Sequence, residues 1–318
     1  MTRLLRTLLA GALMTAAAGC SHASATPDGT PSAPAGSSQR LSAHPTTASQ
    51  GTALLPRPQA AGSPAAKGMP HPDHVVVVVM ENRSYADIIG APQAPYINSL
   101  AHHGALFTKS YAVTHPSEPN YLALFSGSTQ GLTDDSCPHT YSGNNLGQAL
   151  LQRRRSFVGY SEGLPSTGAR DCTHGAYARK HNPWADFPSV PTAANQPLTA
   201  FPTGLEHLPR MSFVVPDLNH DMHDGTVAAG DQWLKSHLGR YAAWAPTHNS
   251  LLVLTWDEDD RSQGNHIATI VLGAHVRPGR YGERVDHYRV LRMLTDLEGV
   301  RAVGRGAAAR PVTSVWTH

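Results

Sequence analysis

Short apolar segments alternate along the chain with segments whose apolar residues recur at helical spacing. The apolar segments are HVVVVVM (74–80), SFVGYS (156–161), MSFVVP (211–216), LLVLTW (251–256) and IATIVLG (267–273). None shows strict polar alternation, which is typical of strands buried on both faces of a parallel sheet. The amphipathic segments at 95–104, 144–155, 231–245 and 287–299 predict covering helices. The pattern predicts an α/β/α sandwich around a central, mostly parallel sheet.

The first 72 residues differ in composition from the rest. In residues 1–20, Arg3 and Arg6 precede an apolar stretch that is too short to span a bilayer, which predicts an export signal. The final AAGC resembles a lipobox, in which Cys20 is lipidated; a plain secretory signal is the alternative. Residues 21–72, rich in Ser, Ala, Pro and Gly, predict a disordered tether, and residues 73–318 predict one globular domain. We therefore expect an exported protein, either lipid-anchored to the outer face of the membrane or secreted.

Charge and cysteine content narrow the class of protein further. The net charge is only +2 and no basic block follows the signal, so nucleic acid is not an expected partner. Beyond Cys20 only Cys137 and Cys172 remain, which favours one disulfide in an exported chain, with two free thiols as the alternative. We expect a monomer.

Polar residues cluster where the apolar segments end. Glu81 and Asn82 follow the first segment, and Asp257 and Glu258 follow LLVLTW. Carboxyl ends of parallel strands share one edge of a sheet, where ligands bind in open α/β folds. Carboxylates gathered there would repel each other unless a cation lay between them, and oxygen ligands suit Ca²⁺, Mg²⁺ or Mn²⁺, with Zn²⁺ not excluded. The alternative is a solvated acidic loop and a helix cap.

Three further segments carry candidate chemistry. THPSEPNY (114–121) places Ser117 between two prolines, and such a stiff loop can hold a nucleophile, although a surface turn is the alternative. YARKHNPW (177–184) contains adjacent cations that suit phosphate; the alternative is that this segment is a solvated basic loop. DLNHDMHDG (217–225) could supply a metal ligand or a general acid. The same segment is also expected to form a polar turn before a helix.

Taken in their order along the chain, the motifs resemble the bacterial phosphoesterase family of acid phosphatases and phospholipases C, within the alkaline phosphatase superfamily. The resemblance extends over about residues 74–316. It implies that Ser117 is the nucleophile, His181 contacts phosphate and His223 is the general acid. It implies a metal shell formed by Glu81, Asn82, Ser117, Asp257 and Glu258. Substrate contacts are expected from Asn82, His115, Asn120, Arg179, Lys180 and Asp221.

The resemblance also implies a function. His220 and His266 could serve as the additional ligands of the two-zinc members, but one divalent metal ion is expected rather than two. The expected reaction is hydrolysis of a phosphate monoester through a covalent phosphoserine, on a small phosphate ester or a phosphoinositide. A phospholipase C-type phosphodiesterase is the first alternative. A non-catalytic lipoprotein that binds phosphorylated ligands is the second.

Overall fold

The structure, a computed structural model, describes residues 64–317. The strands are β1 (His74–Met80), β2 (Ala105–Tyr111), β3 (Phe157–Ser161), β4 (Thr173–His174), β5 (Tyr177–Ala178), β6 (Asn195–Pro197), β7 (Met211–Val215), β8 (Ser250–Trp256), β9 (His266–Gly273) and β10 (Gly279–Asp286). The α-helices are α1 (Tyr85–Ile88), α2 (Pro95–His103), α3 (Ser117–Ser126), α4 (Leu146–Gln152), α5 (Val227–Trp244) and α6 (His287–Leu297). Seven short 3₁₀ turns, at 179–181, 183–186, 192–194, 198–200, 205–207, 245–247 and 304–308, complete the elements of this part of the chain.

One eight-stranded sheet organises these elements, in the order β10-β2-β9-β8-β1-β7-β3-β6. Its strands are parallel except β9, which is antiparallel to both β8 and β2. The expectation that the apolar segment 267–273 is another parallel strand is therefore wrong. A parallel pair needs a long crossover, whereas β8 and β9 are joined only by residues 257–265, a connection that reverses the chain.

The central strand β1 is buried on both faces, as its unbroken apolar sequence predicts. Val75, Val77 and Val79 pack in a core with side chains of α3, α4 and α6. Val76 and Val78 pack in a second core with α1, α2 and α5. These two cores on opposite faces of the sheet confirm the predicted α/β/α sandwich.

The segment around Ser117 differs from the stiff loop that its prolines suggested. Helix α3 begins at Ser117, with Pro116 as its N-cap residue, and every residue of the helix is buried. Proline is compatible with the first turn of a helix, so Pro119 does not interrupt it. The loop ends immediately before Ser117, and the serine hydroxyl therefore lies on a buried helix terminus.

The packed part of the chain begins before the predicted boundary at residue 73. Met69 is buried, and Arg292 donates a hydrogen bond to the Pro64 carbonyl at 2.9 Å. Residues 64–72 are thus part of the folded unit, while Cys20 and the rest of the predicted signal and tether lie outside the described residues. The predicted Cys137–Cys172 disulfide is present, with an S–S distance of 2.10 Å. Among residues 64–317, no helix has the length and apolar composition that crossing a bilayer requires.

Candidate active site

The carboxyl ends of β1, β7 and β8 bring three acidic residues together. Glu81 follows β1 directly, and its backbone N–H donates to the Asp221 carbonyl at 2.7 Å. Asp257 follows β8, and its N–H donates to the Met80 carbonyl at 2.9 Å. Asn82 has φ 50°, a left-handed conformation that Asn adopts more readily than most residues, and its N–H donates to Asp257 Oδ1 at 3.1 Å. The strand ends therefore fix the backbone beneath each carboxylate.

Ser117 is the hydroxyl in this cluster. Its Oγ donates to Glu81 Oε2 at 2.9 Å, and the side chain is buried. Because Ser117 is the first residue of α3, the positive end of the helix dipole lies beside its hydroxyl. This position favours negative charge on the serine oxygen or on a group bound to it.

His181 completes the buried cluster on the other side of Glu81. Its Nε2 lies 3.2 Å from Glu81 Oε1, and its Nδ1 lies 3.1 Å from Asp221 Oδ2. The ring stacks on Tyr121 with centroids 5.0 Å apart, which fixes its plane. Glu81 therefore faces Ser117 with one carboxylate oxygen and His181 with the other.

Burial perturbs the protonation of the whole cluster. Burial and then the neighbouring Asp257 and Asp221 charges raise the pKa of Glu81 well above its ordinary value. Burial likewise raises the pKa of Asp221 well above its ordinary value and that of Asp257 to about 6. Burial holds the pKa of His181 well below its ordinary value, so the ring is neutral at pH 7. The carboxylates thus need either protons or a cation between them.

The chain has groups that could bind a metal ion at this place. Ligand atoms of Glu81, His181 and Asp221 all lie within 4.8 Å of one another. Four atoms of the cluster are buried without a hydrogen-bond partner, namely Glu81 Oε1, His181 Nε2, Asp221 Oδ2 and Asp257 Oδ2. Glu81 Oε1 and Asp221 Oδ2 nevertheless lie at contact distance from the two nitrogens of the His181 ring. Orphaned buried oxygen and nitrogen atoms that converge in this way are suited to coordinate a cation.

The predicted metal shell is only partly assembled by these contacts. Glu81, Ser117 and Asp257 lie together, and Asn82 contributes its backbone N–H to Asp257. The Glu258 carboxylate is turned toward His115, with Oε2 2.8 Å from Nδ1, and toward Asn120 Nδ2 at 3.3 Å. Burial and the Asp257 charge raise the pKa of Glu258 to about 9. His181 and Asp221, which were expected to contact substrate, instead lie within the buried cluster.

Above the cluster is an open cleft of about 300 Å³. Its lining includes Asn82, Ser117, Asp135, His223 and Glu258, but not His181. Lys180 reaches its edge, with Nζ donating to Asp135 at 2.9 Å and lying 3.1 Å from His223 Nε2. The predicted nucleophile and general acid thus face one cleft, and Lys180 lies beside them.

Two predicted substrate contacts have their polar atoms engaged within the protein. The Arg179 guanidinium is buried and pairs with Asp186 at 2.6 Å, so it holds neighbouring segments together. Asn120 accepts hydrogen bonds from the N–H groups of Val113 and Thr114 and donates to two carbonyls. It shapes the loop that carries His115, whose ring lies between Glu258 and Asp259.

Sequence reasoning missed Asp135 and Tyr121. Asp135 Oδ1 accepts the backbone N–H of Glu118 at the start of α3, while Oδ2 holds Lys180. It lies in an irregular loop, two residues before Cys137, where no periodicity marks it. The one sequence feature that could have indicated Asp135 is its position close to Cys137, whose disulfide fixes the loop. Tyr121 lies in α3, and this helix was not predicted because the prolines at 116 and 119 suggested a loop.

Comparison with solved structures gives the class of fold. The chain is similar to a protein of the alkaline phosphatase superfamily from Vibrio parahaemolyticus, with a TM-score of 0.55, 15% identity, and coverage of 82% of this chain and 76% of that one. At this identity the likeness shows the fold alone. It confirms the predicted alkaline-phosphatase-like architecture.

Sequence comparison gives the family. The Phosphoesterase family matches residues 91–301, and the chain belongs to this family. It is 51% identical over 255 residues to the phosphatidylinositol-3-phosphatase of Mycobacterium tuberculosis, covering 79% of this chain and 85% of that protein. It is 30% identical over 255 residues to an acid phosphatase of Aspergillus fumigatus, covering 72% of this chain and 55% of the fungal protein.

Proposed function

We propose that the chain hydrolyses phosphate monoesters, as an acid phosphatase-like enzyme, through a covalent phosphoserine on Ser117. The observation that carries this proposal is the buried Ser117 hydroxyl, which lies at a helix N-terminus and donates to Glu81 beneath an open cleft. The names of the relatives support monoester hydrolysis, and the bacterial relative makes a phosphoinositide a candidate substrate.

One divalent cation fits the buried cluster. Glu81, Asp257 and Ser117 would hold it, with Asp221 and His181 on the far side of the Glu81 carboxylate. When bound, the cation would lower the pKa of the serine hydroxyl and neutralise charge on the phosphoryl group. Asp257 Oδ2, which is buried without a hydrogen-bond partner, supports this placement.

The residues of the chain account for each transfer in the reaction. The Ser117 proton already points to Glu81 Oε2, which accepts it as Oγ attacks phosphorus. The bond from phosphorus to the leaving oxygen breaks, and His223 donates a proton to that oxygen. Asn82, Lys180 and the start of α3 stabilise the phosphoryl oxygens. Water then attacks the phosphoserine and gives a proton to His223, while the bond from phosphorus to Oγ breaks. Glu81 returns its proton to Ser117 Oγ, and phosphate leaves.

His181 acts behind this chemistry as a positioning residue. It is buried against Tyr121 and does not line the cleft, so direct contact with phosphate is not part of the proposal. Its ring lies between the Glu81 and Asp221 carboxyl groups, with one nitrogen facing each, and so sets their spacing. Arg179 is not a phosphate contact in this proposal either, because its guanidinium is paired with Asp186.

The direct test is Ser117→Ala assayed on p-nitrophenyl phosphate. We expect a loss of turnover on the order of 10³-fold or more, as for removal of other serine nucleophiles. Ser236→Ala, an exposed serine on α5, is the matched control and should retain wild-type turnover. Survival of most activity in Ser117→Ala would refute the mechanism. Turnover of phosphatidylcholine at a rate comparable to the monoester would instead indicate a phosphodiesterase.

We also propose that the enzyme acts outside the cytoplasm. This proposal is supported by the predicted export signal in residues 1–20, by the predicted lipobox at Cys20 and by the disulfide between Cys137 and Cys172. Globomycin, which blocks processing of lipidated signals, should leave the precursor uncleaved. Normal cleavage in its presence would favour a secreted form.

A further inference from the structure

A group of stacked rings and arginines occupies the β10 edge of the sheet. The basic aromatic face consists of Tyr85, Tyr111, His266, Arg280 and Arg284. His266 stacks on Tyr85 at 4.5 Å and on Tyr111 at 5.0 Å between ring centroids. The Arg284 guanidinium lies 4.0 Å from the centre of the Tyr111 ring, and Arg280 donates to the Tyr85 hydroxyl at 3.0 Å. The rings therefore hold both cations in place at the surface.

The positive charge of this face is not neutralised by any acidic residue within the described part of the chain. Arg280 and Arg284 are exposed, and neither forms an ion pair within residues 64–317. The two acids of β10 have other partners: Glu283 pairs with Arg289, and Asp286 caps α6 by accepting the Arg289 N–H. Lys109, which is exposed and pairs with Arg284 in the β2–β10 ladder, adds a third cation.

The face adjoins the catalytic edge but lies beyond the reach of a small ester bound there. Tyr85 follows Glu81 by four residues, and Tyr111 precedes His115 by four. Strands are spaced by about 4.8 Å, so three spacings place β10 about 14 Å from β8 and Asp257. A second anionic group on the same small substrate would not span this distance. Anionic groups displayed side by side on a surface would.

A cleft with a partly apolar lining lies next to these cations. It has a volume of about 610 Å³ and is lined by Ile89, Leu106 and Pro278 together with Tyr85 and Arg280, and also by Asn98 and His102. Cations that border apolar surface and tyrosine rings match the boundary of a bilayer, where Tyr and long basic side chains are favoured. This combination distinguishes the face from a merely solvated basic strand.

We propose that the basic aromatic face binds the surface of an anionic lipid bilayer and so presents lipid-borne phosphate esters to the adjacent cleft. The consequence for hydrolysis rests on the proposed function, whereas bilayer binding does not. Each basic residue close to an anionic surface contributes about 1 kcal/mol, so removal of two should weaken binding about thirty-fold.

The test is co-sedimentation with phosphatidylcholine vesicles that contain or lack phosphatidylserine. Every protein begins at Ser21, so that neither the predicted apolar signal nor a lipid anchor on Cys20 contributes. We expect Arg280→Gln/Arg284→Gln to bind phosphatidylserine vesicles about thirty-fold more weakly and to retain wild-type turnover of p-nitrophenyl phosphate. Arg280→Lys/Arg284→Lys, which keeps the charge, should retain most binding.

The matched control removes two exposed cations elsewhere, with Arg153→Gln/Lys235→Gln. Its binding should stay within about twofold of wild type, because these residues lie outside the face. Undiminished binding by the Arg280/Arg284 glutamine variant, an equal loss in the control, or equal binding of neutral vesicles would overturn the proposal. Loss of soluble-ester turnover in the glutamine variant would overturn it as well. Ser117→Ala should bind vesicles normally, which separates this test from that of the proposed function.

Discussion

Asp257→Asn should stabilise the metal-free protein while it abolishes cation binding. The Asp257 carboxyl is buried, and its pKa is raised from 3.8 to about 6. The folded state therefore holds this proton more tightly than the unfolded state, and stability is lost as pH rises from about 4 to about 6. Two pKa units correspond to about 3 kcal/mol, which a neutral amide at this position recovers above pH 6.

The assay is urea unfolding in EDTA at pH 7.5 and at pH 4. At pH 7.5 we expect Asp257→Asn to exceed wild type by about 3 kcal/mol, or a Tm rise of about 6–12 °C. At pH 4 the gain should largely vanish, because wild-type Asp257 is then protonated. Excess divalent cation should reverse the order of stability, since only the wild type keeps all of the proposed ligands.

Asp260→Asn is the control, because it removes an exposed carboxylate from the same loop. Its stability should change by no more than about 0.5 kcal/mol at either pH. The reasoning fails if Asp257→Asn is less stable than wild type in EDTA at pH 7.5, or if its advantage is the same at both pH values.

Three further predictions concern the same cluster and its supports. Cation binding to the metal-free protein should release protons and tighten as pH rises through about 6, because the pKa values of Glu81, Asp221 and Asp257 are raised; calorimetry in buffers of different ionisation enthalpy measures this, and equal heats would contradict it. Arg179→Lys should lower stability by about 1–3 kcal/mol without changing KM, whereas Lys180→Gln should raise KM; the reverse pattern would return Arg179 to the phosphate site. Asn120→Ala should lower both stability, by about 2–4 kcal/mol in urea unfolding, and kcat, because the loop carrying His115 loses its hydrogen bonds; a stable and fully active variant would exclude that role.

The predicted sandwich follows from β1, β7 and β8, whose unbroken apolar sequences are typical of strands covered on both faces. The direction of β9 could not be read in this way, because an apolar strand has the same sequence pattern whether it is parallel or antiparallel. Strands β2 and β10 escaped prediction because polar and charged residues interrupt them; in β10, every residue before Val285 is half-buried or exposed. The apolar pattern of a strand indicates whether the strand is buried, whereas its direction depends on the length and path of the connecting segments.

The candidate site was predicted to a similar depth. Glu81 and Asp257 lie at strand ends, where topology alone brings them to one edge, and their approach was predictable. The contact of His181 with Glu81 and the diversion of Arg179 to Asp186 depend on how the 179–186 segment folds. Adjacent cations in a sequence can point in opposite directions, and only tertiary packing decides which one reaches the cleft.

The measurement that bears most directly on the central claim is the identity of the phosphorylated residue. The enzyme is mixed with a phosphate monoester, quenched in acid within one turnover and digested for mass spectrometry. Phosphate should appear on the peptide that contains Ser117 in wild type and be absent in Ser117→Ala. Phosphate on another residue, or its absence under conditions where turnover proceeds, would contradict a covalent phosphoserine mechanism.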